Sequence, residues 1–335
     1  MSPSTPDLDV VELAEADAPL ALLDAAEAAH PVPLVDETER ERLEALARGE
    51  TVRPAGWRSW LARRAGQPVG YAAVVFDAAA GPAGPTGDLA VPRWARADRA
   101  VVAALVDHVG EVFASLGATG TVWLRDADEP DVEVARDHGA RIRRRLGVLG
   151  RALDAPPDVP DGPTIRTYRP DVDDAAVVEV LDAAYAGTDD GGWTLARFRD
   201  RRASAWFDPA DLLLAEDTHG TLLGLHWLKR RDAATGEVYN LAVHPRAQGR
   251  GAGPRLLAAG LAHLHAVGCR EVLLWVDLSN QRAVRLYREQ GFTTRWVDVA
   301  LELGAGAGAS GGAMAGGDDT AGEPSEPGEP DGPVT

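Results

Sequence analysis

The chain repeats itself. The segment Leu89-Ala90-Val91-Pro92-Arg93 returns as Leu241-Ala242-Val243-His244-Pro245-Arg246, one residue longer and about 150 residues further on. Leu116-Gly117 returns as Val267-Gly268, and His138-Gly139 as Gln290-Gly291, each where a helix would stop on glycine. Between the copies lies DAPPDVPDGP, Asp154 to Pro163, as dense in proline and acid as a domain linker. A length of 335 residues leaves room for two ordinary cores, and a 45% share of hydrophobic residues can fill them. The expectation is one α/β fold in tandem: a first domain over 1–153, a linker over 154–163, a second domain over 164–303 and a tail over 304–335. The tail is mostly Gly, Ala, Ser, Pro and acid, with no aromatic residue, Leu or Ile. It reads as disordered, because it cannot bury enough apolar area to offset its ordering entropy.

The second half spells out the fold. Ile165 to Arg169 reads as a short strand, and Asp173 to Ala186 as a helix with an acidic start suited to its dipole. Leu212 to Glu216 and Thr221 to Lys229 read as strands joined by the turn Asp217 to Gly220, with Glu237 to Val243 as the next. A helix follows from Pro254 and stops at Gly268. Glu271 to Asp277 is a strand, Asn280 to Gln290 a helix ended by Gly291, and Phe292 to Leu303 a last strand. Antiparallel strands first, then strands alternating with helices, imply a mixed sheet covered on both faces.

Gln248-Gly249-Arg250-Gly251-Ala252-Gly253 joins a strand to a helix. Glycines let backbone amides approach an anion closely, and the positive end of the following helix favours one. Pro254 removes one amide from that set.

This loop, the preceding Leu241-Ala242-Val243 and the later Asn280-x-x-Ala283-x-x-Leu286-Tyr287-x-x-x-Gly291-Phe292 together resemble the acyl-CoA-dependent GNAT N-acetyltransferases. The resemblance implies two tandem GNAT-like domains and acetyl-CoA as donor, with no metal. It places Leu241, Ala242 and Val243 on the pantetheine arm, and Gln248, Gly249, Arg250, Gly251, Ala252, Gly253 and Pro254 around the pyrophosphate. Asn280, Gln281, Arg282, Ala283, Val284 and Arg285 would lie along the same molecule. Acyl transfer from a thioester develops charge on oxygen and then on sulfur, so an acid is needed near the thiolate, and Tyr287 is placed to supply it. Glu237, opening the strand before the loop, is the expected base. Its task is light, because about a tenth of an α-amine with pKa near 8 is already neutral at pH 7.

Within that family, four further segments resemble the tandem members that acetylate the cysteinyl amine of desacetylmycothiol, the last step of mycothiol biosynthesis. They are Gly191-Gly192-Trp193-Thr194, Ala205-Trp206-Phe207-Asp208-Pro209, Gly224-Leu225-His226-Trp227-Leu228-Lys229 and Glu237-Val238-Tyr239. The likeness implies acceptor contacts from Asp36, Asp189, Lys229, Glu237 and Trp275. Asp36 and Asp189 stand where the family usually has Glu, and Trp275 where it has Tyr, trading a hydroxyl for an indole N–H that only donates. Other readings are a GNAT enzyme for another amine, peptide or antibiotic, or a non-catalytic acyl-CoA-binding module.

The first half lacks this equipment. Asp98 and Ala100 align with Gly251 and Gly253, and Ala135 with Tyr287. A carboxylate facing pyrophosphate would repel it, so the first half reads as a scaffold that contributes Asp36. Gly306-x-Gly308-x-x-Gly311 lies in the low-complexity tail with no helix after it, so it reads as coincidence. His263, His265 and Cys269 have poor metal-site spacing. A net charge of -18 disfavours nucleic acid and anionic membranes. A single cysteine and no apolar run of spanning length point to a cytoplasmic protein, expected to act as a monomer.

Overall fold

The computed structural model describes residues 8–13, 17–50, 56–76, 84–188 and 190–304. Asp189, the tail beyond Gly304 and the glycine fingerprint within it lie outside the described residues.

The first half runs β1 (Leu8–Glu12), α1 (Asp17–Ala29), α2 (Glu37–Ala47), β2 (Trp57–Arg64), β3 (Gln67–Val75), β4 (Thr86–Ala90), α3 (Arg93–Arg96), α4 (Ala100–Ser115), β5 (Thr119–Leu124), α5 (Glu129–Asp137) and β6 (Arg141–Ala152). The second runs β7 (Thr164–Thr167), α6 (Asp174–Tyr185), α7 (Leu195–Arg202), β8 (Leu212–Glu216), β9 (Leu222–Arg230), β10 (Thr235–Val243), α8 (Ala252–Ala266), β11 (Glu271–Asp277), α9 (Gln281–Glu289) and β12 (Thr293–Gly304). The repeated segments occupy matching places, at the ends of β4 and β10. Gly117, Gly139, Gly268 and Gly291 follow α4, α5, α8 and α9 with positive φ, the conformation that ends a helix cheaply only in glycine.

The twelve strands among the described residues form one sheet, ordered β1-β2-β3-β4-β5-β12-β6-β11-β10-β9-β8-β7. The neighbours are antiparallel except β4/β5 and β10/β11, the two crossover pairs spanned by α4 and α8. The two halves exchange their last strands. β12 lies beside β5, with Val299 opposite Leu124, while β6 lies beside β11, with Val148 opposite Trp275. The cores follow the exchange. Val299, Leu301 and Leu303 of β12 pack under α4, and Leu149 and Leu153 pack with the α8 and α9 side chains. Trimming one of these leucines to alanine costs about 2–5 kcal/mol, so each half depends on a strand from the other. Helices cover both faces in each half, α4 opposite α1 and α2, and α8 opposite α6 and α7.

Several local expectations shift. Helix α8 starts at Ala252, not Pro254, because Gly251 turns the chain in the left-handed region (φ 78°). Pro254 then sits in the first turn, where its missing amide would have had no helical partner. β7 ends at Thr167, since Tyr168 turns inward and its hydroxyl bonds Asp174. Helix α7 is a new element, started by Thr194, whose Oγ1 accepts from Arg197 N at 3.1 Å.

Candidate active site

Parallel pairing of β10 with β11 stops at Val238 opposite Leu274, although β10 continues to Val243 and β11 to Asp277. A bulge between Val238 and Asn240 bends β10 at that point. The strands therefore part, and a cleft of about 1040 Å³ opens between them. Leu241, Ala242 and Val243 form one wall and leave that strand edge unpaired; Trp275, Val276 and Asp277 begin the other. Gln248, Gly249, Gly251, Ala252, Gly253 and Pro254 close one end. No hydrogen-bond partner among the described residues occupies the amides of residues 249–253. They converge on the positive end of α8, an arrangement that holds an anion.

Helix α9 supplies the opposite side. Asn280 starts it, with Oδ1 accepting from Ala283 N at 3.1 Å, and Asn280, Arg282, Ala283, Arg285 and Tyr287 line the cleft. Arg282 Nη1 donates to Gln248 Oε1 at 2.5 Å and so ties α9 to the glycine loop. Val284 instead packs into the core, Gln281 donates to Leu278 O, and Arg250 is exposed beside the loop; none of these three lines the cleft. Arg197, like Arg282 and Arg285, lines the cleft, while Arg144 on its wall is ion-paired with Asp190 and Asp277.

Tyr287 is 8% exposed, edge-to-face with Phe292 at 5.8 Å. Burial pushes its pKa well above that of a free phenol, so the hydroxyl keeps its proton, and it has no hydrogen-bond partner among the described residues. It is a donor waiting for an acceptor in the cleft. Tyr185, at the end of α6, lines the same cleft, and its hydroxyl is also held protonated by burial.

Beside the cleft lies a charged cluster built across the halves. Glu237 on β10 pairs in register with Lys229 on β9. Arg231 Nη1 donates to Glu237 Oε2 at 2.8 Å and stacks over the Trp275 ring at 5.3 Å. Burial raises the Glu237 pKa, and the Arg231 and Lys229 charges oppose that rise. Lys229 Nζ sits over Trp206 at 5.1 Å and donates to Glu37 Oε2 at 2.8 Å. That acid comes from α2 in the first half. Glu37 makes the ion pair across the halves, and the neighbouring Asp36 caps α2, its Oδ1 accepting from Glu39 N at 2.7 Å. Asp36 is exposed, and its second carboxylate oxygen has no hydrogen-bond partner among the described residues. Trp275 lies under Arg231 and edge-to-face with Trp296 at 6.4 Å.

The four motif segments converge: Trp193, Trp206, Phe207, Trp227 and Tyr239 form one aromatic cluster, with Trp206 and Tyr239 4.9 Å apart. The first-half counterpart is smaller. β4 and β5 stay paired to Leu89 and Leu124, each within one residue of its end, and a pocket of about 520 Å³ lined by Arg93, Arg96, Arg99, Asp126, Asp128 and Asp131 lies past their ends. Asp98 ion-pairs with Arg64 and accepts from Ala100 N at 3.2 Å, placing a carboxylate at the start of α4.

Residues 177–292 match the acetyltransferase (GNAT) family. A mycothiol acetyltransferase of Nocardia farcinica is 40% identical over 296 residues, 85% of this chain and 93% of that protein. Another, from Geodermatophilus obscurus, is 37% identical across 89% of this chain and 97% of its own length. The chain belongs to the mycothiol acetyltransferase family. Among solved structures, a GCN5-related N-acetyltransferase from Sphaerobacter thermophilus superposes with a TM-score of 0.68 at 25% identity, covering 89% of this chain and 96% of that one. A tandem GNAT protein of the clavulanic acid pathway, 20% identical, shares the fold with a TM-score of 0.59 over 88% of this chain and 98% of that one. Membership in the mycothiol acetyltransferase family makes this an acetyl-CoA-dependent N-acetyltransferase. Sequence reasoning missed Glu37, Arg231, Arg144 and Tyr185. For Glu37 its place beside Asp36 was the available signal; the others carry no motif.

Proposed function

We propose that this protein transfers the acetyl group of acetyl-CoA to the cysteinyl amine of desacetylmycothiol, inside the cell. The observation that carries this reading is the likeness, over nearly the whole chain, to mycothiol acetyltransferases, and a donor cleft lying beside an acid- and aromatic-lined acceptor face supports it. The pyrophosphate rests on the amides of residues 249–253, with Arg282 and Arg285 nearby, and the pantetheine arm pairs with the free edge of Leu241–Val243. The amine nitrogen attacks the thioester carbonyl carbon, its proton passes to Glu237, and the C–S bond breaks as Tyr287 gives its proton to the departing sulfur. Asp36, Glu37, Lys229 and Trp275 frame the acceptor, and Asp189 is a further acceptor contact on the family resemblance alone. The first half serves as scaffold.

The test is a steady-state assay with acetyl-CoA and the purified desacetyl thiol. CoA release with formation of the acetylated thiol supports the reading; release only with some other amine overturns the substrate assignment. The base has its own signature. Glu237→Gln keeps size and hydrogen bonding, so its defect, about tenfold at pH 7, is expected to shrink as pH passes the amine pKa near 8. A wild-type rate across pH 6 to 9 would remove Glu237 from the chemistry. Arg231→Gln takes away the charge that opposes burial, so the Glu237 carboxyl should hold its proton to higher pH. The acidic limb of kcat/KM should then move up by about one pH unit; a limb that stays put shows that it reports another group.

A further inference from the structure

Strand β6 belongs by sequence to the first half, yet it runs beside β11 and delivers Arg144 and Leu146 to the wall of the second half's cleft. Arg144 Nε donates to Asp277 Oδ2 at 2.7 Å, while Nη2 and Nη1 donate to the two oxygens of Asp190 at 2.7 and 3.4 Å. One guanidinium thus joins two cleft walls. Asp277 leads into α9 and the donor side. Asp190 leads into Gly191-Gly192-Trp193, where Trp193 both lines the cleft and packs in the aromatic cluster.

The two anchors are unequal. Asp277 Oδ1 also accepts from Ser279 N at 2.8 Å and Ser279 Oγ at 2.6 Å, so the donor wall stays tied without Arg144. Asp190 has no other hydrogen-bond partner among the described residues. We propose that Arg144 is a positioning residue which, handed over by the exchanged strand, holds the Asp190–Trp193 turn at the working width of the acceptor side. The inference rests on the donor and acceptor sides assigned above, and it gives the first half a part in the second half's reaction.

Two measurements test it. In steady state, Arg144→Gln is expected to raise the KM for the desacetyl thiol about five- to tenfold, with kcat and the KM for acetyl-CoA changing less than about twofold. Asp190→Asn should do the same, and the double variant should be no worse than either single one. An equal rise in both KM values, or single effects that multiply in the double variant, would overturn the proposal. Hydrogen exchange on the substrate-free protein is independent of which amine is the true acceptor. Amides of residues 190–194 should exchange faster in Arg144→Gln, while those of 279–284 keep wild-type rates. Unchanged exchange at 190–194 would also overturn it, whereas failure of wild type to acetylate the desacetyl thiol would sink the substrate reading alone.

Discussion

Replacing Gly251 with aspartate is expected to raise the KM for acetyl-CoA about a hundredfold. Two costs add. Gly251 has φ 78°, a left-handed conformation that costs a side-chain-bearing residue about 1–2 kcal/mol, less for Asp or Asn. The new carboxylate would also face the pyrophosphate from the start of α8, where the first half already carries Asp98, itself tied to the amide of Ala100 at 3.2 Å. A combined loss of about 3 kcal/mol is about two powers of ten in affinity. Gly251→Asn separates the parts, since asparagine tolerates the same backbone but is neutral. It should cost tenfold or less, and equal KM values for the two variants would show that charge at this loop does not matter.

The second large effect belongs to Tyr287. Phenylalanine in its place keeps the packing on Phe292 and removes only the hydroxyl, so folding should survive. A CoA thiol leaves with a pKa near that of free cysteine, about 8.5, and is a tolerable leaving group without help. The kcat of Tyr287→Phe should therefore fall by about ten- to a hundredfold, at the lower end for loss of a general acid, with both KM values little changed. Because burial holds the Tyr287 proton well above the range of a free phenol, the wild-type rate should show no alkaline fall from this group below pH 10. Such a fall, absent in the Phe variant, would mean that the phenol ionises more readily than its surroundings allow.

Much of this was legible in residues alone, for reasons that differ by element. The glycine loop could be read because backbone requirements select residue types: only glycine takes φ 78° at positions 249 and 251 cheaply. Strands β8 and β11 could be bounded to the residue, since turns and charges flank continuous apolar runs. Helix α7 was missed because LARFRDRR buries only Phe198 and offers no apolar stripe. Which of the adjacent acids Asp36 and Glu37 caps a helix and which pairs with Lys229 depends on local backbone geometry, which spacing does not carry. The strand exchange left no local trace. RIRRRLGVLGRA has the pairing groups and burial pattern of a last strand in either half, so the choice of neighbour rests on shape 12 strands wide, not on its own side chains.

That exchange also sets the order of events during synthesis. The hydrogen bond from Asp126 N to Asp298 Oδ1 joins residues 172 apart. At about 5–20 residues per second, the ribosome needs roughly 10 to 30 s to make the intervening chain. For that interval the nascent first half waits with the edge of β5 bare and the space for Val299, Leu301 and Leu303 unfilled. A gene cut at the proline-rich linker would make that wait permanent, so neither fragment alone should yield a soluble product, and the two should rescue each other when made together.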